Sequence, residues 1–539
     1  MRCTRTASLH SAILTLCALT LVLSGCGSAR SVTTAQQVTR IVYGLTLEPS
    51  GIDPHINASS ELGIPLRSVY DTLVYRDPSN GQFVPGLAES WDISTDGLSY
   101  TFHLKQGITF HDGTPFNAQA IAANLDRITN PETASQKAAY MLGSYDHYEV
   151  VDDSTIRLVL SEPYSPLMDS LSQVYLGIAS PTALNAVSNE RYQFHQVGTG
   201  PFEFVEYLPG ERITLRRNPH YTWGPSFYTI PSEASIDEIE FRFYTDAASR
   251  AIALESGDVQ VMGEIPPTDA RALSANPAVQ IMPVNIPGQP LQFLINTARF
   301  PTDSLQVRQA LLFATNREAI VDSVFQRYSP IAWGPLAANT GFYSSQVVGA
   351  YNNDPTTARS LLEQAGFIDA DSNGYYDAPD GDLSVTLIMP GWGFIPEVSQ
   401  LLQDQWRQIG IRAILDSAPS RSLVVDRVND GSYNLVAFYS FGDDPSLLND
   451  YFLSGGSLNW THYQDSSLDN LLLDAVRQSD PAARSTDYTQ VQRTLLEQAI
   501  VLPIRDYVNL NGVSTRIQGL TFDAYGWFPL LNNITVSGG

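Results

Sequence analysis

Val84-Pro85-Gly86-Leu87-Ala88-Glu89-Ser90-Trp91 leads through Ser94-Thr95-Asp96-Gly97-Leu98-Ser99-Tyr100-Thr101-Phe102 to Gly107-Ile108-Thr109-Phe110-His111-Asp112-Gly113. Within it Leu98, Tyr100, Phe102 and Leu104 alternate with Ser99, Thr101, His103 and Lys105. A period of two places one face in a core and the other in water. Asp96-Gly97 tolerates the positive φ of a tight turn, so Trp91 to Lys105 reads as a β-hairpin. Asp112-Gly113 is a second turn former. His111 beside it reads as a turn-stabilising residue, since no second histidine or nucleophile stands at a catalytic spacing.

Outward from the hairpin, Thr155 to Leu160 and Arg212 to Arg216 are shorter strands of the same kind, and Asn117 to Ile128 reads as a helix with Asn117 as N-cap. Beyond residue 300 the period changes. Ser304 to Phe325 carries Val307, Leu311, Ala314, Ile320 and Val324 at helical spacing. Asp354-Pro355 opens a helix that Gly366 ends. Val398 to Ile409 is another helix, closed by Gly410 and followed by the strand Ile411 to Leu415. Helix, glycine and strand in succession are the grammar of an α/β lobe.

At the N-terminus, Arg2 and Arg5 precede an apolar run, Ala12 to Leu23. That run spans roughly 18 Å as a helix, short of the ~30 Å hydrocarbon core, so it reads as the h-region of an export signal. Residues 27–539 contain no cysteine, which removes disulfides, cysteine metal sites and cysteine nucleophiles from the mature body. Gly27 to Thr39 is rich in Ser, Thr, Ala and Gln and reads as a flexible tether. The net charge of −25 argues against nucleic acid or an anionic membrane surface as partner. With 43% hydrophobic and 16% charged residues, the composition is that of a folded globular chain.

Leu23-Ser24-Gly25-Cys26 resembles the lipobox of bacterial lipoproteins, in which the cysteine is lipidated; an ordinary secretory signal with an incidental Cys26 is the alternative. The 84–113 stretch is similar to the pattern shared by family 5 extracellular solute-binding proteins, the oligopeptide-, dipeptide- and nickel-binding lipoproteins of ABC importers. The likeness continues through Val197-Gly198-Thr199-Gly200-Pro201-Phe202, Arg217-Asn218-Pro219, Leu254-Glu255-Ser256-Gly257-Asp258, Phe293-Leu294-Ile295-Asn296-Thr297 and Val307-Arg308-Gln309-Ala310-Leu311. Ala118-Gln119-Ala120-Ile121 departs from it, where many members carry an acid. Arg308 is expected at an interlobe or outer surface of its helix.

The resemblance implies an α/β, two-lobe periplasmic-binding-protein-like clamshell with three domains of mixed sheets flanked by helices. Residues 1–25 would be the signal peptide and 26–37 the lipidated tether. Domain I would comprise 38–56, 196–294 and 508–539, domain II 57–195 and domain III 295–507. It further implies a monomer outside the cell membrane or in the periplasm, bound to the membrane through its lipid only. The partners would be ABC permease subunits and an oligopeptide, modified peptide or oligosaccharide ligand.

Two loops carry candidate chemistry. Asp369, Asp371, Asn373, Tyr375, Asp377 and Asp380 stand at the oxygen-ligand positions of a calcium loop, with Gly374 at its sixth place. Aspartate instead of glutamate closes the loop, and a strand, Leu383 to Met389, follows it. A structural calcium and a plain solvated turn both fit, and no cofactor is required. The second loop is Phe438-Tyr439-Ser440-Phe441-Gly442-Asp443-Asp444-Pro445. In the resemblance, peptide-binding members carry an aspartate for the peptide amine where Phe441 stands, with Asp443 as a displaced substitute. Phe438, Tyr439, Phe441, Asp443 and Asp444 are therefore candidate ligand residues, joined by Trp392, Glu48 and Tyr140. The aromatics favour an uncharged or bulky solute over a free peptide held by its amine.

No Gly-x-Ser-x-Gly elbow, His-Glu-x-x-His helix or phosphate-binding loop occurs, so the chain reads as a binding protein and not an enzyme. A secreted hydrolase and a chaperone-like surface lipoprotein using the same cleft are the alternatives. Turnover of a small solute would mark the first; failure to close around one would mark the second.

Overall fold

The computed structural model describes residues 39–228 and 236–537. The export signal 1–25, the tether 26–37 and Cys26 lie outside the described residues.

Three sheets organise the chain. The first has seven strands in the order Val279–Asn285, Val508–Ser514, Val261–Met262, Arg40–Leu45, Glu238–Phe243, Arg212–Arg217 and Phe202–Leu208. Arg40–Leu45 runs parallel to both its neighbours, and the remaining pairs are antiparallel. The second sheet is antiparallel, in the order Ala88–Ile93, Ser99–Leu104, Thr155–Leu160 and Tyr145–Asp152. It contains the hairpin read from sequence: Trp91 faces Phe102, Gly97 sits at φ 70°, and Tyr100, Phe102 and Leu104 are buried. Ala118–Thr129 follows, with the Asn117 carboxamide accepting from the Ala120 amide at 3.0 Å. One continuous core joins these two sheets into a first lobe.

The third sheet, in the order Arg412–Ala418, Ser384–Pro390, Leu435–Phe441, Gly288–Ile295 and Val501–Arg505, forms the second lobe. Its fourth strand, Gly288–Ile295, is buried along its whole length. Phe293 and Ile295 enter a core with Leu402 and Trp406, whereas Leu294 enters one on the opposite face with Val436 and Leu495. Burying each such side chain contributes ~1.5–3 kcal/mol. Around the sheet, Asp354 caps Pro355–Gln364 and Gly366 ends it at φ 91°. Helix Ile395–Arg407 is followed by Gly410 at φ 82°, where a Cβ would lie 2.7 Å from the Tyr376 ring.

Three expectations are corrected. The helical spacing from Ser304 to Phe325 belongs to two helices, Leu305–Ala314 and Arg317–Val324, because Thr315 is extended and the Asn316 side chain caps the second at the Ala319 amide. Arg308 is buried inside the second lobe, donating to the carbonyls of Thr302, Asp303 and Gln498. The lobes part at Ile286-Pro287, not at 294–295, since Gly288–Ile295 pairs with Leu435–Phe441 and Val501–Arg505. Gly288 fixes that entry: it has φ 124°, and a Cβ there would lie 2.2 Å from the Ser440 carbonyl oxygen.

The return crossing is Asp506-Tyr507. Val279–Asn285 pairs with Val508–Ser514 before the crossings, and Gly288–Ile295 with Val501–Arg505 after them. Between these pairs the Ile286 amide donates to the Tyr507 carbonyl at 2.9 Å. Two adjacent strand segments thus carry the chain between the lobes, a connection suited to hinge closure.

Candidate functional site

A cavity of about 700 Å³ lies between the seven-stranded and five-stranded sheets. Its second-lobe wall begins with Leu435–Phe441, buried at Leu435, Val436 and Ala437 and half-buried from Phe438 to Phe441. The strand leaves its core there and presents aromatic side chains to the cavity.

Phe438 packs on Tyr451, with ring centroids 4.6 Å apart, and edge-on against Trp460. Phe441 lies 4.8 Å from Tyr507 and stacks on Trp527 at 5.3 Å, while Tyr439 lies 5.5 Å from Tyr507. Trp527 comes from the C-terminal segment and Tyr507 from the crossing, so both lobes build this cluster. Trp392 lines the cavity at 37% exposure, and Phe394 lines it beside Phe325. Gly393 lies between them at φ 66°.

Charged groups complete the lining. Glu264 has φ 48°, and its carboxylate accepts from Thr46 and, at 3.1 Å, from the Tyr507 hydroxyl. Arg250 is held by the carbonyls of Tyr244, Thr245 and Glu264. Arg505 is buried, and the cost of desolvating its charge pulls its pKa below the usual arginine value.

The eight candidate ligand residues divide. Phe438, Tyr439, Phe441 and Trp392 line the cavity; Asp443, Asp444, Glu48 and Tyr140 do not. Asp443 pairs with Arg76, which also holds Asp169 at 2.9 Å. Burial pushes the Asp443 carboxyl up to about 7, against the pull of Arg76. Asp444 receives both Nη groups of Arg484 at 2.7 and 2.8 Å. Glu48 accepts from the Tyr207 hydroxyl and the Gly210 amide, both at 2.7 Å. Tyr140 is exposed and donates to Asp450 at 2.9 Å, joining the two lobes at the surface, as Arg477 and Glu162 do at 2.8 Å. The alignment-based expectation for Asp443 thus falls on an interlobe ion cluster. His111, expected to stabilise its own turn, instead places its Nε2 3.0 Å from the carbonyl of Gly200, a residue remote in the sequence.

In the acidic loop, Asp369 accepts the amides of Asn373 and Gly374, Asp371 that of Asn373, and Asp377 that of Ala370. The Asn373 side chain accepts the Tyr375 amide. Among the described residues no three carboxylates or histidines gather as a metal site, Asp380 included.

Residues 82–461 match the family model for bacterial extracellular solute-binding proteins, family 5. The chain belongs to that family. Heme-binding protein A of Haemophilus influenzae is 28% identical, over 96% of this chain and 97% of its own length. The dipeptide-binding protein of Escherichia coli is 26% identical over 92% of this chain and 95% of its own. The structure of NikA from Brucella suis in complex with Fe(III)-EDTA superposes with a TM-score of 0.82, covering 92% of this chain and 100% of that one; at 23% identity it establishes the shared fold. This family 5 member is thus an extracytoplasmic solute-binding protein of the ABC-importer type and not an enzyme. No helix among its described residues is long and apolar enough to cross a membrane.

Arg505, Glu264, Tyr507 and Trp527 escape sequence reasoning. Arg505-Asp506 does leave one signal, a charged pair interrupting the apolar run Ile500 to Val508. Glu264 and Trp527 leave none, since only the tertiary fold brings them to the cavity.

Proposed function

We propose that this solute-binding protein, anchored at the outer face of the cell membrane through a lipid on Cys26, captures a bulky organic solute and delivers it to ABC permease subunits. The reading rests on the aromatic cluster of Phe438, Tyr439, Phe441, Tyr507 and Trp527 in a cavity shared by two hinged lobes. Aromatic faces take apolar or planar groups. A free peptide amine would need a carboxylate on burial; Asp443 and Asp444 are already paired with Arg76 and Arg484, and the carboxylates that line the cavity are Glu61 and Glu264, the latter bonded to the Thr46 and Tyr507 hydroxyls. The aromatic walls favour a modified peptide or an oligosaccharide over a peptide held by its amine. Relatives named for heme, glutathione and dipeptide binding support an organic, partly peptide-like solute range.

Titrating random tripeptides against their N-acetylated forms tests the solute class. Acetylation is expected to preserve or improve binding; loss of binding on acetylation, and in Asp443→Asn, would restore amine recognition. For the anchor, Cys26→Ser is expected to release a folded body from membranes. Retention of that variant on membranes after a high-salt wash would remove the lipid from the reading.

A further inference from the structure

We infer that Arg505 is the anchor for a carboxylate on the solute, so that the cavity takes organic acids with a planar or apolar body. This rests on the reading of the cavity as the solute site.

Five arginines are buried among the described residues: Arg67, Arg308, Arg317, Arg484 and Arg505. Of these, Arg505 is the one that lines the cavity. Arg484 has its carboxylate, and Arg308 and Arg317 each donate to three backbone carbonyls. Arg67 lies in the first-lobe core away from the cavity, donating to a carbonyl and a hydroxyl while its own Nε also finds no acceptor. Arg505 is 4% exposed; its Nη1 donates to the Ser329 hydroxyl at 3.2 Å, and its Nε finds no acceptor. No carboxylate stands within ion-pair distance of it among the described residues. The adjacent Asp506 instead accepts the Ala338 amide at 3.1 Å.

Two rings hold the guanidinium in place, Phe325 at 4.2 Å and Tyr507 at 4.3 Å. Stacking supports its faces and leaves the N–H edge for hydrogen bonds. A buried, oriented cation with an idle N–H is costly unless something supplies an acceptor. A carboxylate supplies two oxygens matched to the guanidinium edge. The rest of such a solute would lie against Tyr439, Phe441 and Trp527, which surround the same Tyr507. Tyr507 thus spans both parts of the site: its ring is on Arg505 and its hydroxyl on Glu264.

The test uses the full mature chain and two matched sets of N-acetylated aromatic tripeptides, one with free C-terminal carboxylates and one with C-terminal amides. Binding is read by calorimetry and by fluorescence of the lining tryptophans. The best acids are expected to bind at least about tenfold tighter than their amides. Arg505→Met should abolish that preference, so that acids and amides bind this variant equally, because the group that tells them apart is gone. Arg505→Lys, which keeps the charge without the fork, should retain part of it and guards against misfolding of the methionine variant. Equal binding of acids and amides overturns the anchor and leaves the solute-site reading standing. Binding of neither set overturns both.

Discussion

Arg484 and Arg505 are both buried in the second lobe and both lie against aromatic rings, yet their charges are compensated in opposite ways. Arg484 sits 5.0 Å from Phe342 and 5.4 Å from Tyr488 and is gripped by both oxygens of Asp444. That carboxylate raises its pKa above the ordinary arginine value, whereas burial lowers that of Arg505. The difference separates a structural arginine from a cavity-lining one within the same lobe. The Asp444–Arg484 pair is complete without a ligand and contributes to the frame. Arg505 is complete only when an acceptor enters, so the protein bears its desolvation cost in the unliganded state.

The sharpest break would come from stability. Arg484→Met should cost about 3–5 kcal/mol, because it strands Asp444 without its cation. Arg505→Met should cost less than about 1 kcal/mol or even stabilise, since it strands no charged partner and replaces an undercompensated charge with a hydrophobe of similar length. Urea midpoints of the two variants compare them directly. Equal losses would mean that Arg505 is as structural as Arg484.

The second test concerns the interlobe cluster. Asp443 has a folded pKa of about 7 against an ordinary value of 3.8, so the folded protein holds its proton more tightly than the unfolded chain. Where the folded state binds more protons, stability falls as pH rises, here from about pH 4 to pH 7. That rise corresponds to roughly 4 kcal/mol as a ceiling, with Arg76, Asp169 and Asp444 all facing the group. Asp443→Asn mimics the protonated acid and should gain stability relative to wild type across that window. Asp506 and Asp523 also carry raised values, but they titrate alike in both proteins and cancel in the difference. A wild-type–variant difference that stays flat from pH 4 to 8 would show Asp443 ionised throughout and permanently paired.

The same contrast explains what was legible in the sequence. Local chemistry sufficed for the 96–97 turn and for the Asn117 and Asp354 caps. Gly288–Ile295 falls on the other side of the expected boundary, and a strand buried on both faces carries no period to say which sheet owns it. The helical spacing across Thr315-Asn316 concealed a break that only the Asn316 cap reveals. Asp443 and Asp444 looked like ligand groups because their partners, Arg76 and Arg484, are remote in the sequence. Arg505 looked ordinary for the converse reason: the absence of a partner is a property of three-dimensional surroundings.

A smaller effect should follow from Tyr507→Phe, which removes the hydroxyl donated to Glu264 at 3.1 Å but keeps the ring on Arg505. The loss in stability should be about 1 kcal/mol, that of one hydrogen bond. The acid-over-amide preference should survive, since the stacked guanidinium is retained. If that preference disappears with the hydroxyl, Glu264 and Tyr507 share the anchoring role.

The least effect is expected at the acidic loop, which extends the contrast to anions. Asp369, Asp371 and Asp377 accept the loop's own amides, as Asp444 accepts Arg484, so their demand for positive partners is partly met from within. Glycine at 374, with φ 89°, lets the backbone turn tightly enough to bring those amides round. Calcium would have to gather carboxylates that are not clustered here, and Asp380, shorter by a methylene than the usual closing glutamate, would have to reach in. Melting in millimolar calcium and in chelator should therefore give the same midpoint, and Asp371→Ala should alter it no more than the loss of one exposed turn bond allows. Ligand linkage makes the opposite result unmistakable: calcium at a hundred times its dissociation constant would add about 2.7 kcal/mol. Such a rise, abolished in Asp371→Ala, would establish a structural ion site and class these aspartates with Arg505, as charges awaiting a partner from outside.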